Sequence, residues 1–380
     1  MNPLYFSEQH EAFRTQMRRF VDREIRPNAD DWETAREIPR EIFRRMGELG
    51  FLGVRYPEEY GGAEMDTFGS VVLAEELGRS GLGGFTASTT VHTDMASPHL
   101  ERYGTPEQKA RYLPDIIAGR KVTAVAVTEP GAGSDVAAIT TRAERRGNGW
   151  VLNGAKLYIT NGVLGDLIFV AARTDPQAKP SRGISMFVVE KGTPGFSVVR
   201  KLDKMGWRCS DTAELAFEDV ELPGDALLGD EGRGFYQIMD NFQNERLVMG
   251  AIVTGEAERA LEVTLDHAKT RRAFGGTLWD KQAVRMKLAD CATRIESVKQ
   301  MVHHTAWLDT QGRDCVKEVS MIKVHAAQML QHVVYECGQI HGGMACMEGT
   351  EIERLYRDAR VHAIGGGATE VMLEEVAKRL

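Results

Sequence analysis

The chain has 380 residues, of which 42% are hydrophobic and 27% charged, and these proportions exclude a disordered, collagenous or low-complexity protein. Its 47 lysines and arginines against 55 aspartates and glutamates leave a net charge of −8, which argues against nucleic acid as the main partner. The length predicts about two or three domains, each with its own core.

The hydrophobic pattern changes twice along the chain. Apolar residues recur at helical spacing over residues 1–120, which predicts an N-terminal helical domain. A run of short β-branched and aromatic segments follows over residues 121–232 and predicts a β domain. Within it, Asn153–Gly154 predicts a hairpin turn between two short strands. Long amphipathic helices return over residues 233–380, so the predicted fold class is α+β.

Cysteines and chain ends indicate the compartment. The five cysteines include no C-x-x-C pair, and the histidines of the C-terminal helices lack ligand-like spacing, so we predict neither disulfides nor a metal site. No apolar run approaches the ~18 residues that span a bilayer, and the N-terminus lacks a secretory or transit pattern. We expect a cytoplasmic protein without membrane insertion.

The segment AVAVTEPGAGSD, at residues 124–135, is the first with chemical character. Gly131, Gly133 and Ser134 expose backbone N–H groups and a hydroxyl at the end of a predicted strand, where they can hold an anionic or carbonyl-rich ring. A nicotinamide-dinucleotide loop is not indicated, because strands and not a helix follow. By itself, the segment could equally be a surface turn.

Five segments resemble the acyl-CoA dehydrogenase family in order and spacing, and together they cover nearly the whole chain. They are TEPGAGSD, GAKLYITNG from Gly154, RCSDTAELAFEDVELP from Arg208, RRAFG followed by Gln282, and RDARVHAI from Arg357. The resemblance implies an N-terminal helical domain, a middle β-barrel and a C-terminal four-helix bundle. It also implies FAD, a homotetramer built as a dimer of dimers, and an electron-transferring flavoprotein as acceptor.

The resemblance implies a flavin site in two parts. At the flavin ring it places Val127, Thr128, Gly133, Ser134, Tyr158 and Thr160, with Tyr158 packed on the ring face, and Ala368 and Glu370 before and in the last helix. At the adenine–diphosphate end it places Arg271, Phe274, Gln282, Gln339, Gly342 and Gly343 from a neighbouring subunit. A guanidinium can pair with a pyrophosphate bidentately, although Arg271 alone could equally be a solvated surface residue.

The implied reaction is α,β-desaturation of an acyl-CoA thioester, in which a carboxylate removes the α-proton and the β-hydrogen leaves as hydride. In many family members the base lies in the loop after the R-D-A segment, but the aligned residue here is Gly366. Isovaleryl- and long-chain-type members resemble this chain in having glycine there and glutamate in an E-R-L segment, here Glu245.

The residues themselves support Glu245 as the base. It shares one helix face with Ile238, Phe242, Met249 and Ile252. Desolvation on such a face should raise the carboxyl pKa toward neutrality, as a base for a weakly acidic carbon requires. The alternative is a structural glutamate paired with a nearby cation.

Three further roles follow from the resemblance. The backbone N–H of Gly366 would polarise the thioester carbonyl as part of an oxyanion hole. Arg246 would contact the CoA moiety, and Ser134 would lie close to it. Analogy with the subset favours long or branched acyl chains over short straight ones.

Three alternatives stay open at the level of sequence. Glu370 is the carboxylate nearest to the family loop and is a rival for the base. An acyl-CoA oxidase would use dioxygen to reoxidise the flavin, although the C-terminal extension usual for oxidases is missing. A catalytically silent protein would bind FAD and acyl-CoA without reducing the flavin.

Overall fold

The computed structural model describes residues 4–380 and begins with a helical domain, as the periodicity predicts. Its helices are α1 (Glu8–Phe20), α2 (Ala29–Ala35), α3 (Glu41–Glu48), α4 (Thr67–Gly78), α5 (Gly83–Thr90), α6 (Ser97–Tyr103) and α7 (Pro106–Ile117). The side chains of Ser7 and Thr105 accept hydrogen bonds from the first turns of α1 and α7, which fixes where these helices begin. Every residue of α4 is buried, so this helix forms the centre of the domain.

The middle of the chain forms one eight-stranded sheet in the order β6-β7-β3-β2-β4-β5-β8, with β1 paired to β4. The strands are β1 (Thr123–Ala126), β2 (Arg142–Arg146), β3 (Gly149–Thr160), β4 (Leu167–Arg173), β5 (Ile184–Glu190), β6 (Phe196–Lys201), β7 (Thr212–Leu222) and β8 (Leu227–Leu228). Side chains from distant strands, such as Leu152, Phe187 and Phe217, meet in one buried cluster. The sheet therefore curls around its own core as a barrel does.

The predicted hairpin at Asn153–Gly154 is wrong. Both residues lie inside β3, and the strand pairs with β7 on either side of them. The register shifts between Leu152 and Gly154, so the dipeptide forms a bulge: Gly154 adopts a φ of +146°, and a Cβ there would lie 2.7 Å from the Cα of Thr141. The reversal occurs just before β3, where Gly147 has a φ of +59° and Arg146 pairs with Gly149.

The C-terminal part is a bundle of three long helices with two shorter ones packed on it. They are α8 (Gly234–Thr270), α9 (Gln282–Thr310), α10 (Val316–His341), α11 (Glu351–Asp358) and α12 (Thr369–Ala377), with a small hairpin of β9 (Arg272–Ala273) and β10 (Gly276–Thr277) after α8. Buried residues of α4, α8, α9 and α10 share one core. In residues 4–380, no helix is long and apolar enough to cross a membrane.

Glycines let α4 and α8 cross closely. A Cβ on Gly255 would lie 2.1 Å from the carbonyl oxygen of Glu75, and one on Gly78 would lie 2.2 Å from that of Ile252. Backbone atoms cannot rotate away as a side chain can, so even a methyl group would push the helices apart. This crossing carries the N-terminal domain against the part of α8 that follows Glu245.

We expect Gly255→Ala to lower the free energy of unfolding by about 1–3 kcal/mol, because the added methyl group overpacks the crossing. Gly338→Ala is the matched control, since its Cβ would meet side-chain atoms at ordinary contact distance, the Cβ of Ala345 at 3.4 Å and Cδ2 of Tyr356 at 3.9 Å. Alanine at 338 should leave stability unchanged or raise it slightly through helix propensity. Thermal or denaturant unfolding of the two variants compares them, and equal stabilities would contradict this account of the crossing.

Candidate active site

Glu245 lies in the first half of α8 on an apolar face. The neighbours on this face are Ile238, Met249 and Ile252, all at most 4% exposed, and the partly buried Phe242. Glu245 keeps a little accessible surface. Burial raises its pKa to about 7, and the positive charges of Arg246 and Lys323 oppose the rise without cancelling it. About half of the carboxyl groups are therefore ionised at neutral pH, in a form more basic than an ordinary carboxylate.

Gly366 faces Glu245 directly. A Cβ at Gly366 would lie 3.1 Å from Oε1 of Glu245 and 2.3 Å from the Sδ of Met249. The φ of Gly366 is +65°, in the left-handed region that favours glycine. The loop position and the helix position thus share one small space, which holds one carboxylate side chain comfortably and not two. Within residues 4–380, the backbone N–H of Gly366 has no acceptor.

Lys323 of α10 is a component of this site that sequence reasoning missed. It is 3% exposed, and its Nζ donates to the carbonyl oxygens of His362, at 2.5 Å, and Gly367, at 3.0 Å. A signal for it existed in the sequence. Lys323 follows the buried Val319 by four residues and precedes the buried Leu330 by seven, so it interrupts an apolar face just as Glu245 does.

Amide side chains fasten the Glu245 turn of α8 to the N-terminal domain. Asn241 and Asn244 both donate to the backbone carbonyl of Asp94, at 3.1 and 3.2 Å. Arg55 donates to Oδ1 of Asn244 at 2.6 Å. Because both amides lie in the helical turn that leads into Glu245 and reach one carbonyl, they fix the rotation of α8 and hence the direction of Glu245.

Arg246, the neighbour of Glu245 in sequence, is a buried cation with spare donors. It is 9% exposed, and its guanidinium lies 5.0 Å from the centre of the Phe242 ring. Within the described part of the chain, its Nε has no acceptor. Burial lowers the pKa of Arg246, although Glu245 opposes that effect. Such a group is suited to an anionic ligand that brings its own acceptors.

The glycine loop after β1 is anchored by a buried ion pair. Lys156 donates to Glu129 at 2.8 Å and to the carbonyl of Val127 at 3.0 Å. Desolvation alone would raise the pKa of Glu129, but Lys156 and hydrogen bonds at residues 140–141 outweigh it and hold the pKa at about 2. The anchor leaves the tip exposed. The backbone N–H groups of Gly131, Gly133 and Ser134 have no acceptor in the structure as far as residues 4–380 go.

The loop and β3 bring the predicted ring-end residues together. Leu157 donates to the carbonyl of Thr128 at 2.9 Å, which sets Val127 and Thr128 beside Tyr158. Tyr158 has a φ of +61° and is 66% exposed, an unusual backbone for an aromatic residue that presents its ring outward. Thr160 is half-buried two residues further along β3. An exposed aromatic ring on a strained backbone, in the same region as the free N–H donors of the loop, can bind a flat heterocycle.

The second predicted group lies at the far end of the bundle. The rings of His267 and His341 stack at 4.2 Å, and Arg271 donates its N–H to the carbonyl of His267. The stacked histidines lie next to Arg271, just after α8, and Gly342, just after α10, so these two residues lie at the same end of the bundle. The other members, Phe274, Gln282, Gln339 and Gly343, are exposed there, Phe274 by 93%. Counted at 1.5 Å per residue, Arg271 is about 39 Å along α8 from Glu245.

Two predicted residues lie in and beside the loop that precedes α12. Ala368 is the residue before this helix, and its carbonyl accepts from Met372. Glu370 lies in the first turn of α12 and is exposed. A carboxylate there interacts favourably with the helix dipole. Gly366, and not Glu370, is the loop residue that adjoins Glu245.

Residues 7–120, 124–220 and 232–380 match the N-terminal, middle and C-terminal domains of acyl-CoA dehydrogenases. The long-chain specific acyl-CoA dehydrogenase of Mus musculus mitochondria is 41% identical over 99% of this chain and 87% of its own length. The mitochondrial isovaleryl-CoA dehydrogenase of Pongo abelii is 36% identical over 96% of this chain and 87% of its own.

Solved structures of acyl-CoA dehydrogenases have the same fold as this chain. The acyl-CoA dehydrogenase from Geobacillus kaustophilus has a TM-score of 0.94 and 43% identity, over 99% of this chain and 98% of that one. The protein is therefore a flavin-dependent oxidoreductase. It belongs to the acyl-CoA dehydrogenase family, whose members use FAD, and the family and fold inferred from the sequence motifs are confirmed.

The residues present fit FAD. The free N–H groups of the glycine loop can meet ring carbonyls, and Tyr158 presents an aromatic face beside them. The places where a Cβ of Gly131 or Gly133 would stand are open, so the backbone itself can approach a ligand. In the described part of the chain, no three histidine, cysteine, aspartate or glutamate side chains are grouped to hold a metal ion.

The raised pKa of Glu245 has a consequence for stability. The folded protein keeps this proton up to about pH 7, whereas an unfolded glutamate loses it near pH 4.5, so stability falls as the pH rises through this window. Glu245→Gln removes the cost of burying the charge. We expect it to raise the free energy of unfolding by about 2 kcal/mol at about pH 8, after allowance for the remaining solvent access, and by less than about 1 kcal/mol at about pH 5. Unfolding at the two pH values tests this, and equal gains would contradict it.

Proposed function

We propose that this protein desaturates an acyl-CoA thioester to the trans-2-enoyl-CoA, with Glu245 removing the α-proton. The observation that carries the proposal is the pair of Glu245 and Gly366: a carboxyl with a pKa of about 7 faces a loop that carries an unpaired N–H. A base and a carbonyl-polarising donor in one small space are what abstraction of a weakly acidic α-proton requires. Bound FAD would supply the acceptor for the β-hydride.

Each side chain then has a defined task. Glu245 accepts the α-proton on a carboxylate oxygen, and its apolar surroundings keep water from competing. The N–H of Gly366 donates to the thioester carbonyl and so acidifies the α-carbon. Arg246 pairs its free donors with the CoA moiety, and Ser134 lies at the exposed loop where CoA passes. The acyl chain is proposed to be long or branched, by analogy with the subset that shares this arrangement.

The two parts of the predicted flavin site support an assembly of several copies. Arg271 is about 39 Å along α8 from Glu245, so it is far from the base of its own chain. We propose that the two groups of one chain serve different cofactors. The exposed Phe274, Gln282 and Arg271 are free to complete the site of a neighbouring copy. We propose a homotetramer, a dimer of dimers, that passes its electrons to an electron-transferring flavoprotein.

An anaerobic titration tests the function. The purified flavoprotein is mixed with short straight, long straight and branched acyl-CoA thioesters, and the flavin absorbance is followed. Bleaching by one class supports the proposal and identifies that class. Binding of every thioester without bleaching would overturn it in favour of a silent binding protein. Rapid oxygen consumption during aerobic turnover would instead identify an oxidase.

A further inference from the structure

Lys323 is a buried cation whose position the fold dictates. A Cβ on Gly250 would lie only 2.4 Å from Cγ2 of Ile322, so glycine at this point of α8 lets α10 come unusually close. Lys323 follows Ile322, and Gly250 lies little more than one turn beyond Glu245. The close crossing brings α10 near this part of α8, and Lys323 lies near enough to Glu245 for the two charges to interact.

The hydrogen bonds of Lys323 bracket the loop of Gly366. Its two acceptors, the carbonyls of His362 and Gly367, lie four residues before and one residue after Gly366. Within residues 4–380 no carboxylate pairs with Lys323 at ion-pair distance, so backbone carbonyls are its direct partners. Loss of the ammonium would leave the buried carbonyl of His362 and the half-buried carbonyl of Gly367 without their donor and release the loop from α10.

The charge of Lys323 also acts on Glu245. Burial lowers the pKa of Lys323 to about 8, and Glu245 opposes this shift, so the lysine is mostly protonated at neutral pH. The other cation acting on Glu245 is Arg246, which lies near Glu375 of α12 and near Arg379, just after that helix.

The remaining titratable group at the loop is the imidazole of His362. Its Nε2 is hydrogen-bonded to Oε2 of Glu256 at 2.8 Å, so the carboxylate nearest to His362 is already engaged by the imidazole.

We propose that Lys323 is the positioning residue of this site: it holds the loop so that the Gly366 backbone faces Glu245, and its charge favours the ionised base. The inference rests on the proposed function, because it assigns Lys323 a role through Glu245. It predicts a change in the pH dependence of catalysis, which a purely structural lysine would not alter.

The test compares Lys323→Met with Lys317→Met, a matched control on the same helix at a half-buried position outside the site. For each flavin-loaded variant two rates are measured against pH: flavin reduction by the best acyl-CoA, and exchange of its α-hydrogen with solvent deuterium. The exchange reports on the base without requiring hydride transfer. For Lys323→Met we expect a maximal rate about tenfold lower. The fall of the rate at acid pH should begin about one pH unit higher than in the unmodified enzyme, and we call this part of the pH–rate profile the acid limb. Lys317→Met should match the unmodified enzyme in both respects.

Lys323→Gln provides a second variant, since an amide can still donate to the loop but carries no charge. It should recover part of the maximal rate and keep the shifted acid limb, and it decides the question if Lys323→Met fails to fold. Folded Lys323 variants with an unshifted limb would overturn the inference while leaving the proposed function intact. If the unmodified enzyme neither reduces its flavin nor exchanges the α-hydrogen, the proposed function itself has failed.

Discussion

Replacement of Glu245 by glutamine is expected to slow flavin reduction by acyl-CoA by about 10³–10⁴-fold. Removal of the base takes away general-base catalysis, which contributes about 10²–10⁴-fold in enzymes. The upper part of that range is expected because the neighbours of Glu245 on this helix face, Ile238, Met249 and Ile252, are apolar and cannot accept a proton in its place. The amide has nearly the same size as the carboxyl, so FAD content and acyl-CoA affinity should change little. Rapid mixing under anaerobic conditions measures the rate, and calorimetry the affinity.

Glu296→Gln serves as the matched control, because Glu296 is an exposed glutamate of α9 far from the apolar face of α8. It should reduce its flavin at the unmodified rate. A Glu245→Gln enzyme that bleaches at full rate would show that another group takes the proton. Glu370, despite its exposure at the start of α12, would then be the next carboxylate to replace.

Gly366→Glu is expected to lower the rate at neutral pH by about 100-fold or more, although it restores a carboxylate to the loop. The new side chain would start 3.1 Å from the Glu245 carboxylate and 2.3 Å from the Met249 sulfur, on a backbone with a φ of +65°. Two carboxylates confined to this space would share a proton, which raises the second pKa of the pair and ties the remaining charge into a hydrogen bond at neutral pH. The rate should therefore recover as the pH rises above 7, and a pH profile of flavin reduction measures it.

Gly366→Ala separates the steric effect from the charge. Alanine meets the same sulfur atom and the same backbone strain but adds no carboxylate, so we expect a rate loss of about tenfold with an unshifted pH profile. If the glutamate variant were as active as the unmodified enzyme, the two positions could not share the space that the structure gives them.

Much of this site could be predicted from sequence because its parts are local. The TEPGAGSD loop and the ITNG segment are short motifs whose residues lie together through a few neighbouring contacts, such as that between Thr128 and Leu157. The resemblance to the subset with an E-R-L segment points to Glu245, and the fixed period of a helix supports it, because a charge on an apolar face stands out. The raised pKa follows from that face alone, and the structure shows the same direction.

The remainder depends on contacts between distant segments. Lys323 and Glu245 are brought together by a close helix crossing at Gly250, and no local pattern announces which helices cross there. The direct contact between Gly366 and Glu245 joins residues over 100 positions apart. The prediction of a hairpin turn at Asn153–Gly154 is wrong for a related reason. The dipeptide favours a tight turn, but pairing with β7 on both sides of it overrides that preference and leaves a bulge.

The pH dependence of flavin reduction in the unmodified enzyme tests the central claim most directly, that Glu245 on the apolar face of α8 is the base. Under anaerobic conditions with a saturating acyl-CoA, the rate is measured between about pH 5 and pH 9. We predict a rate that rises about tenfold per pH unit to a limb near pH 7 and is level above it, and a limb that is absent from Glu245→Gln. A limb at the pH of an ordinary exposed carboxylate, or the same limb in Glu245→Gln, would contradict the account.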